Sequence, residues 1–192
     1  VEERCRNAGT KEGLVGRQLE GKTVGIVGFG AIGKKVAKLL NAFDCKVIAY
    51  SRSRKPTEQG WVDFANLDEL LEKSDLITLH CPLTAETRHM INAEKIAKMK
   101  SNAILINCAR GPVVDYEALA NALIDGRIGG AGLDVFETEP PLVSDHVMLH
   151  TPNTIVTPHI AFASEESMIM RAEIVFSSLD HWLEGKQVNI IL

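Results

Sequence analysis

The chain has 192 residues, 45% hydrophobic and 24% charged, which excludes a disordered or collagen-like polymer. A formal net charge of −4 gives no support to a general nucleic-acid or membrane-surface binder. The apolar runs are strand-sized, far short of the roughly 20 residues of a membrane span. Cys5, Cys45, Cys81 and Cys108 stand far apart, with no CxxC pair and no clustered metal ligands. They are expected to be buried free thiols in a reducing compartment, the cytoplasm, with no metal bound. The first residue is Val1 and no charged-then-apolar leader follows, so the chain is expected to be part of something longer.

The first apolar run, Thr23 to Gly28, is β-branched and ends in glycine, which predicts a buried strand. Ile32 to Leu40 places Ile32, Val36, Ala37, Leu39 and Leu40 on one helical face. Lys46 to Tyr50 predicts a second strand and Trp61 to Phe64 a short third. Leu67 to Lys73 reads as a helix capped by Asn66. Asp75 to His80 is a strand, Asn92 to Met99 a helix capped by Asn92, and Ala103 to Asn107 a strand. Asp115 to Asp125 is a helix closed by Gly126. Gly130 to Val135 and Thr154 to Thr157 are two further strands. Ser164 to Glu184 is a long helix, capped by Ser164 and stopped by Gly185. This alternation implies an α/β fold, a doubly wound, mainly parallel sheet covered on both faces. Ligands of such sheets bind beyond the carboxyl ends of the strands, where the strand order switches.

Gly28-Phe29-Gly30-Ala31-Ile32-Gly33 fits GxGxxG, between a predicted strand and a predicted helix. In a Rossmann-type domain Gly28 allows the tight turn, Gly30 lets backbone approach a pyrophosphate, and Gly33 lets the helix pack against the strand. Free amides and the dipole at the helix start favour the anion. The alternative is a glycine-rich turn that binds nothing. An acid at the end of the second strand would hold the ribose 2′-hydroxyl of NAD. The chain instead has Ser51-Arg52-Ser53-Arg54-Lys55, with no carboxylate between Asp44 and Glu58. A guanidinium fork suits a 2′-phosphate, so NADP is expected in preference to NAD, which stays possible. The alternative is a solvated basic loop.

Arg110, Glu139 and His159 each follow a late strand, in Asn107-Cys-Ala-Arg-Gly111, Leu133-Asp-Val-Phe-Glu-Thr-Glu-Pro140 and Thr157-Pro-His-Ile160. Parallel strands would bring all three to the rim that carries the glycine loop. A buried Arg, a carboxylate and a His beside a nicotinamide make a proton-coupled hydride site. His80, His89, His146, His150 and His181 match no catalytic pattern and read as structural or surface residues. Trp61 and Trp182 read as packing residues.

These motifs, with His80-Cys-Pro82-Leu-Thr84 and Thr87, resemble the D-isomer-specific 2-hydroxyacid dehydrogenases in order and spacing. Within the family it resembles the glyoxylate and hydroxypyruvate reductases, through the basic loop after the second strand, and the phosphoglycerate dehydrogenases, against which Phe162 counts. The resemblance covers nearly the whole chain but only that family's dinucleotide-binding domain. It implies a lead-in over residues 1–20, the domain over 21–185, and a return over 186–192 toward a largely absent substrate domain.

It also implies that Arg110 binds the substrate carboxylate and keto oxygen. His159 would exchange a proton with that oxygen, and Glu139 would orient His159 and favour its protonated form. Asp134 would hold the nicotinamide carboxamide, and Cys108 and Ala109 would line its ribose. Gly28 to Gly33, Ser51 to Arg54, Cys81, Pro82, Thr87, Arg110, His159 and Ala161 complete the implied cofactor contacts. The partners implied are a small 2-keto or 2-hydroxy acid and a second copy of the chain, with neither nucleic acid nor membrane. Many members continue TPH-Ile with paired glycines, where this chain has Ala161-Phe162. Carboxy-terminal-binding-protein corepressors share the fold and the Arg, Glu and His, and give the competing reading: a dinucleotide-sensing binding protein.

Overall fold

The computed structural model describes residues 16–52, 60–139 and 141–189. Among these residues seven strands form one sheet: β1 (Thr23–Val27), β2 (Lys46–Tyr50), β3 (Val62–Phe64), β4 (Leu76–Leu79), β5 (Ile104–Asn107), β6 (Gly130–Leu133) and β7 (Thr154–Val156). The order is β3-β2-β1-β4-β5-β6-β7, and every neighbouring pair is parallel. The chain builds outward from β1 to β3 on one side and from β4 to β7 on the other. The order therefore switches between β1 and β4, at the carboxyl end of the strand that feeds the glycine loop. This is the doubly wound Rossmann-type sheet that the alternation predicts.

Among the described residues the helices are α1 (Ala31–Ala42), α2 (Leu67–Lys73), α3 (Ala93–Ala97), α4 (Tyr116–Ile124), α5 (Val147–His150) and α6 (Glu165–Leu183). Their starts follow from side-chain chemistry. Asn66, Asn92, Asp115 and Ser164 each accept a hydrogen bond from the backbone amide three residues on, satisfying an orphan donor of the first turn. Gly126 and Gly185, at φ +66° and +76°, follow α4 and α6 in the left-handed conformation that ends a helix. The sequence pattern missed α5 and the single 3₁₀ turn Gly111–Val113, both too short to show a helical period.

Two apolar clusters form the core. Leu70, Leu71, Ile77, Leu79, Leu105 and Leu119 belong to the larger, and Ile26, Phe29, Ala37, Val47 and Val62 to the smaller. Each Leu, Ile, Val or Phe among them contributes about 1.5–3 kcal/mol when fully buried. Trp61 is half-buried against the smaller cluster, as expected. Trp182 is instead 65% exposed, because α6 buries no side chain among the described residues. The thiols also depart from expectation. Cys45 is buried, Cys81 half-buried and Cys108 exposed, since Cys108 lies just beyond the end of β5. Cys5 lies outside the described residues.

Helix α1 rests almost on the backbone of the glycine loop. A Cβ at Gly33 would stand 2.2 Å from the Gly28 carbonyl oxygen. Gly33→Ala should therefore cost about 1–3 kcal/mol of stability through overpacking. The urea midpoint should fall with an unchanged slope. An unmoved midpoint would show that α1 can shift away from the loop.

Candidate functional site

The three glycines of the loop are glycine for different reasons. Gly28 sits at φ +99°, and a Cβ there would meet the His80 backbone at 2.6 Å. Gly33 faces the Gly28 oxygen. Gly30 has ordinary dihedrals, φ −83° and ψ −158°, and a Cβ there would enter open space. Nothing inside the described chain requires glycine at position 30, so its bareness serves something outside it. Beside it, α1 begins without a side-chain cap and without an acid in its first turn. Its N-terminal amides and dipole are available to an anion. A pyrophosphate fits this cradle.

The loop opens into a cavity of about 270 Å³. Gly28, Phe29, Gly30, Ser51, Arg52, Cys81, Pro82 and Thr87 line it, all of them anticipated. Phe29 offers mainly backbone, since its ring is buried edge-on against Phe64 with centroids 5.3 Å apart. Ala31, Ile32 and Gly33 form the first turn of α1. Ser53 and Arg54 lie outside the described residues. Tyr50, His80, Glu86 and Met90 line the cavity without having been anticipated. Glu86 could have been found from its place between Thr84 and Thr87. Burial holds the His80 imidazole below its ordinary pKa and the Cys81 thiol above its own, so both favour their neutral forms.

On the other side of the switch point, Arg110, Glu139 and His159 follow β5, β6 and β7, which are sheet neighbours. His159 Nδ1 pairs with Glu139 Oε2 at 2.8 Å. Arg110 is exposed rather than buried, and its Nη1 donates to the Ala109 carbonyl at 2.6 Å. Its exposure follows from its position on a loop past the strand end. The ring of Phe162 stands edge-on to His159, centroids 5.6 Å apart, and the Arg171 guanidinium lies over Phe162 at 5.8 Å.

His159 has φ +58°, an uncommon conformation for a residue with a side chain. Asp134 is what holds it there. Its Oδ1 accepts from the Thr157 hydroxyl at 2.5 Å and the Ile160 amide at 2.8 Å, and its Oδ2 accepts from the Ala161 amide at 2.8 Å. Three donors from one loop converge on a carboxylate that is 2% exposed. Burial alone would raise the Asp134 carboxyl. The bonds from Thr157, Ala161 and Ile160, with the His159 charge, outweigh it and hold the carboxyl below the ordinary range. An ionised carboxylate accepts at about four lone-pair sites, so capacity remains for one outside donor.

A second network joins the loops after β5 and β6. Tyr116 Oη donates to the Val135 carbonyl at 2.5 Å and accepts from Asn107 Nδ2 at 3.2 Å. Asn107 also donates to the Arg110 carbonyl at 3.1 Å and accepts from the Ala109 amide at 3.1 Å. Cys108 and Ala109 therefore sit in a turn fixed by a buried amide. Although Cys108 is exposed overall, partial desolvation of its thiol, with the charge of Asp134, pushes it up toward the neutral form. No group of three or more His, Cys, Asp or Glu among the described residues could hold a metal ion. No helix among them is long and apolar enough to cross a membrane.

Residues 1–161 match the family described as D-isomer specific 2-hydroxyacid dehydrogenase, NAD binding domain. The chain is 48% identical over 176 residues to a glyoxylate reductase of Thermofilum pendens, covering 90% of this chain and 52% of that protein. The structure of an acyclic imino acid reductase in complex with NADPH and D-Arg superposes with TM-score 0.90 and 32% identity, over 100% of this chain and 61% of that one. A D-lactate dehydrogenase of Aquifex aeolicus, complexed with NAD and lactic acid, gives TM-score 0.87 and 36% identity, over 96% and 60%. The chain thus spans about half the length of the curated relatives it matches.

Gly30→Val should leave the thermal midpoint essentially unchanged and abolish dinucleotide binding, because the new side chain fills the cradle and touches nothing else. Fluorescence titration with a reduced dinucleotide, run beside thermal denaturation, checks both halves. Asp134→Asn should cost about 1–3 kcal/mol, since its amide would face a backbone donor. Exchange of the Ile160 and Ala161 amides should quicken. A carboxyl lowered by folding contributes stability above its unfolded pKa of about 3.9 and loses it as pH falls through the folded value. The wild-type loop should therefore hold at neutral pH and loosen only in acid, and pH-dependent hydrogen exchange reads this directly.

Proposed function

The chain belongs to the D-isomer-specific 2-hydroxyacid dehydrogenases through their NAD-binding domain, and we propose that its protein interconverts a small 2-keto acid and the D-2-hydroxy acid. The 2.8 Å pairing of His159 with Glu139, at the rim shared with the glycine loop, carries this reading. The nicotinamide supplies the hydride when bound. Glu139 engages Nδ1, which assigns the transferred proton to Nε2 of His159. In reduction Nε2 gives its proton to the keto oxygen, and in oxidation it takes the proton back. The exposed fork of Arg110 binds the substrate carboxylate and the same oxygen. The spare capacity of Asp134 receives the nicotinamide carboxamide. Cys108 and Ala109 line the nicotinamide ribose from their fixed turn.

For the dinucleotide we propose NADPH in preference to NADH, with Arg52, and Arg54 beside it in sequence, on the 2′-phosphate. Supporting this is a guanidinium lining the cavity at the end of the second strand, where an acid would favour NADH. The same reading includes a homodimer in the cytoplasm, a lead-in over residues 1–20, and a return over 186–192 toward a substrate domain.

In the whole protein, His159→Gln should lower keto-acid turnover about 10²–10⁴-fold while dinucleotide affinity holds. Undiminished turnover removes His159 from the chemistry. Arg52→Ala should weaken NADPH by about 1.5–3 kcal/mol, the worth of a charged hydrogen bond, and leave NADH nearly unaffected. Equal titration curves for the two dinucleotides with the unaltered protein would overturn the preference.

A further inference from the structure

The end of β2 lacks an acid, yet the cavity has one. Arg52 and Glu86 are the cation and the anion among the described residues that line it. They come from different walls. Arg52 follows β2 and Glu86 follows β4, with β1 and its glycine loop between them. Their side chains nevertheless meet, Arg52 Nη1 to Glu86 Oε2 at 3.6 Å.

Glu86 is the more firmly held of the two. The Thr84 hydroxyl donates to Glu86 Oε2 at 2.6 Å. The turn beneath it is pinned by Thr87, whose hydroxyl accepts from the Thr84 amide at 2.7 Å and donates to the Pro82 carbonyl at 2.7 Å. The Thr84 bond, with a backbone bond and the charge of Arg52, holds the carboxyl below the ordinary range. Glu86 thus presents a fixed negative charge to the cavity, while Arg52 reaches it on a long arm.

We propose that Glu86 is a specificity-determining residue that restrains the preference for NADPH by competing with the 2′-phosphate for Arg52. This rests on the reading that the cavity takes the adenosine end of a dinucleotide. A 2′-phosphate that engages Arg52 competes with Glu86 for the guanidinium charge, and it then stands beside a carboxylate. A 2′-hydroxyl meets no such opposition and can donate to Glu86. From the opposite wall, Glu86 does for NADH what an acid at the end of the second strand does elsewhere. Both side chains are about two-thirds exposed, 68% and 67%, so the effect is modest and screened by salt.

The test is titration of the 192-residue chain with NADPH and NADH at low ionic strength, for the unaltered protein, Glu86→Gln and Glu173→Gln. Glu86→Gln should tighten NADPH about three- to fivefold. It should leave NADH unchanged or weaker, and the gain should fade as salt rises. Glu173, exposed on α6, controls for net charge and should alter neither. A gain for both dinucleotides, for neither, for NADH alone, or equally in Glu173→Gln overturns the role of Glu86 and leaves the dinucleotide reading standing. Binding of neither dinucleotide by the unaltered chain overturns that reading itself.

Discussion

Parallel pairing is the constraint on which the molecule depends. With every strand running the same way, all seven carboxyl ends lie on one rim, and each loop leaving that rim faces the same solvent. Residues far apart in sequence then become neighbours without any long loop having to fold back. The glycine loop after β1 takes the place beside the switch in strand order, where the connections diverge to either side. Arg52 and Glu86 flank it because β2 and β4 flank β1. Arg110, Glu139 and His159 follow the next three strands in turn.

A rim of loops would be loose without internal ties, and two polar networks supply them. The Asp134 carboxylate gathers the Thr157 hydroxyl and the Ile160 and Ala161 amides, and so shapes the turn that carries His159. A left-handed conformation costs a residue such as His159 about 1–3 kcal/mol and persists only where its surroundings over-determine it. Tyr116 and Asn107 do the corresponding work between the loops after β5 and β6. Their buried hydroxyl and amide are partnered, so the ties hold without an unsatisfied polar group in the core. The Arg110 carbonyl is held from behind by Asn107 while its guanidinium stays exposed, and Glu139 spends a carboxylate oxygen on His159.

The cavity beside the glycine loop is built differently. There the backbone is shaped by steric contact, with Gly28 against His80 and Gly33 against Gly28, and the polar groups are few and exposed. Charge at such a site acts through a screened field rather than through desolvated pairs. Arg52 and Glu86 are accordingly a screened pair, with side chains 68% and 67% exposed. The loops after β5, β6 and β7, with the buried Asp134 among them, rely on fixed hydrogen-bond geometry instead.

Most of the architecture was legible in the sequence because it rests on local chemistry. Apolar runs ending in glycine, caps at Asn66, Asn92, Asp115 and Ser164, and stops at Gly126 and Gly185 act within a few residues, and the elements appear where those signals lie. The glycine loop and the Arg110, Glu139 and His159 positions were legible for the same reason, each marking the end of a strand. The ties among them were not. That Asp134 bonds residues 23 to 27 positions away, that Tyr116 reaches Val135, and that Glu86 meets Arg52 are consequences of which strands become neighbours. Exposure escaped the sequence as well: Cys108 and Arg110 follow an apolar strand yet face solvent, because the chain leaves the sheet there. The sequence by itself determined the elements and their chemistry, through interactions that span one turn of helix or one strand. Only the tertiary structure decided which charges oppose each other and which carboxylate shapes the His159 turn, because those contacts exist only once distant strands have paired.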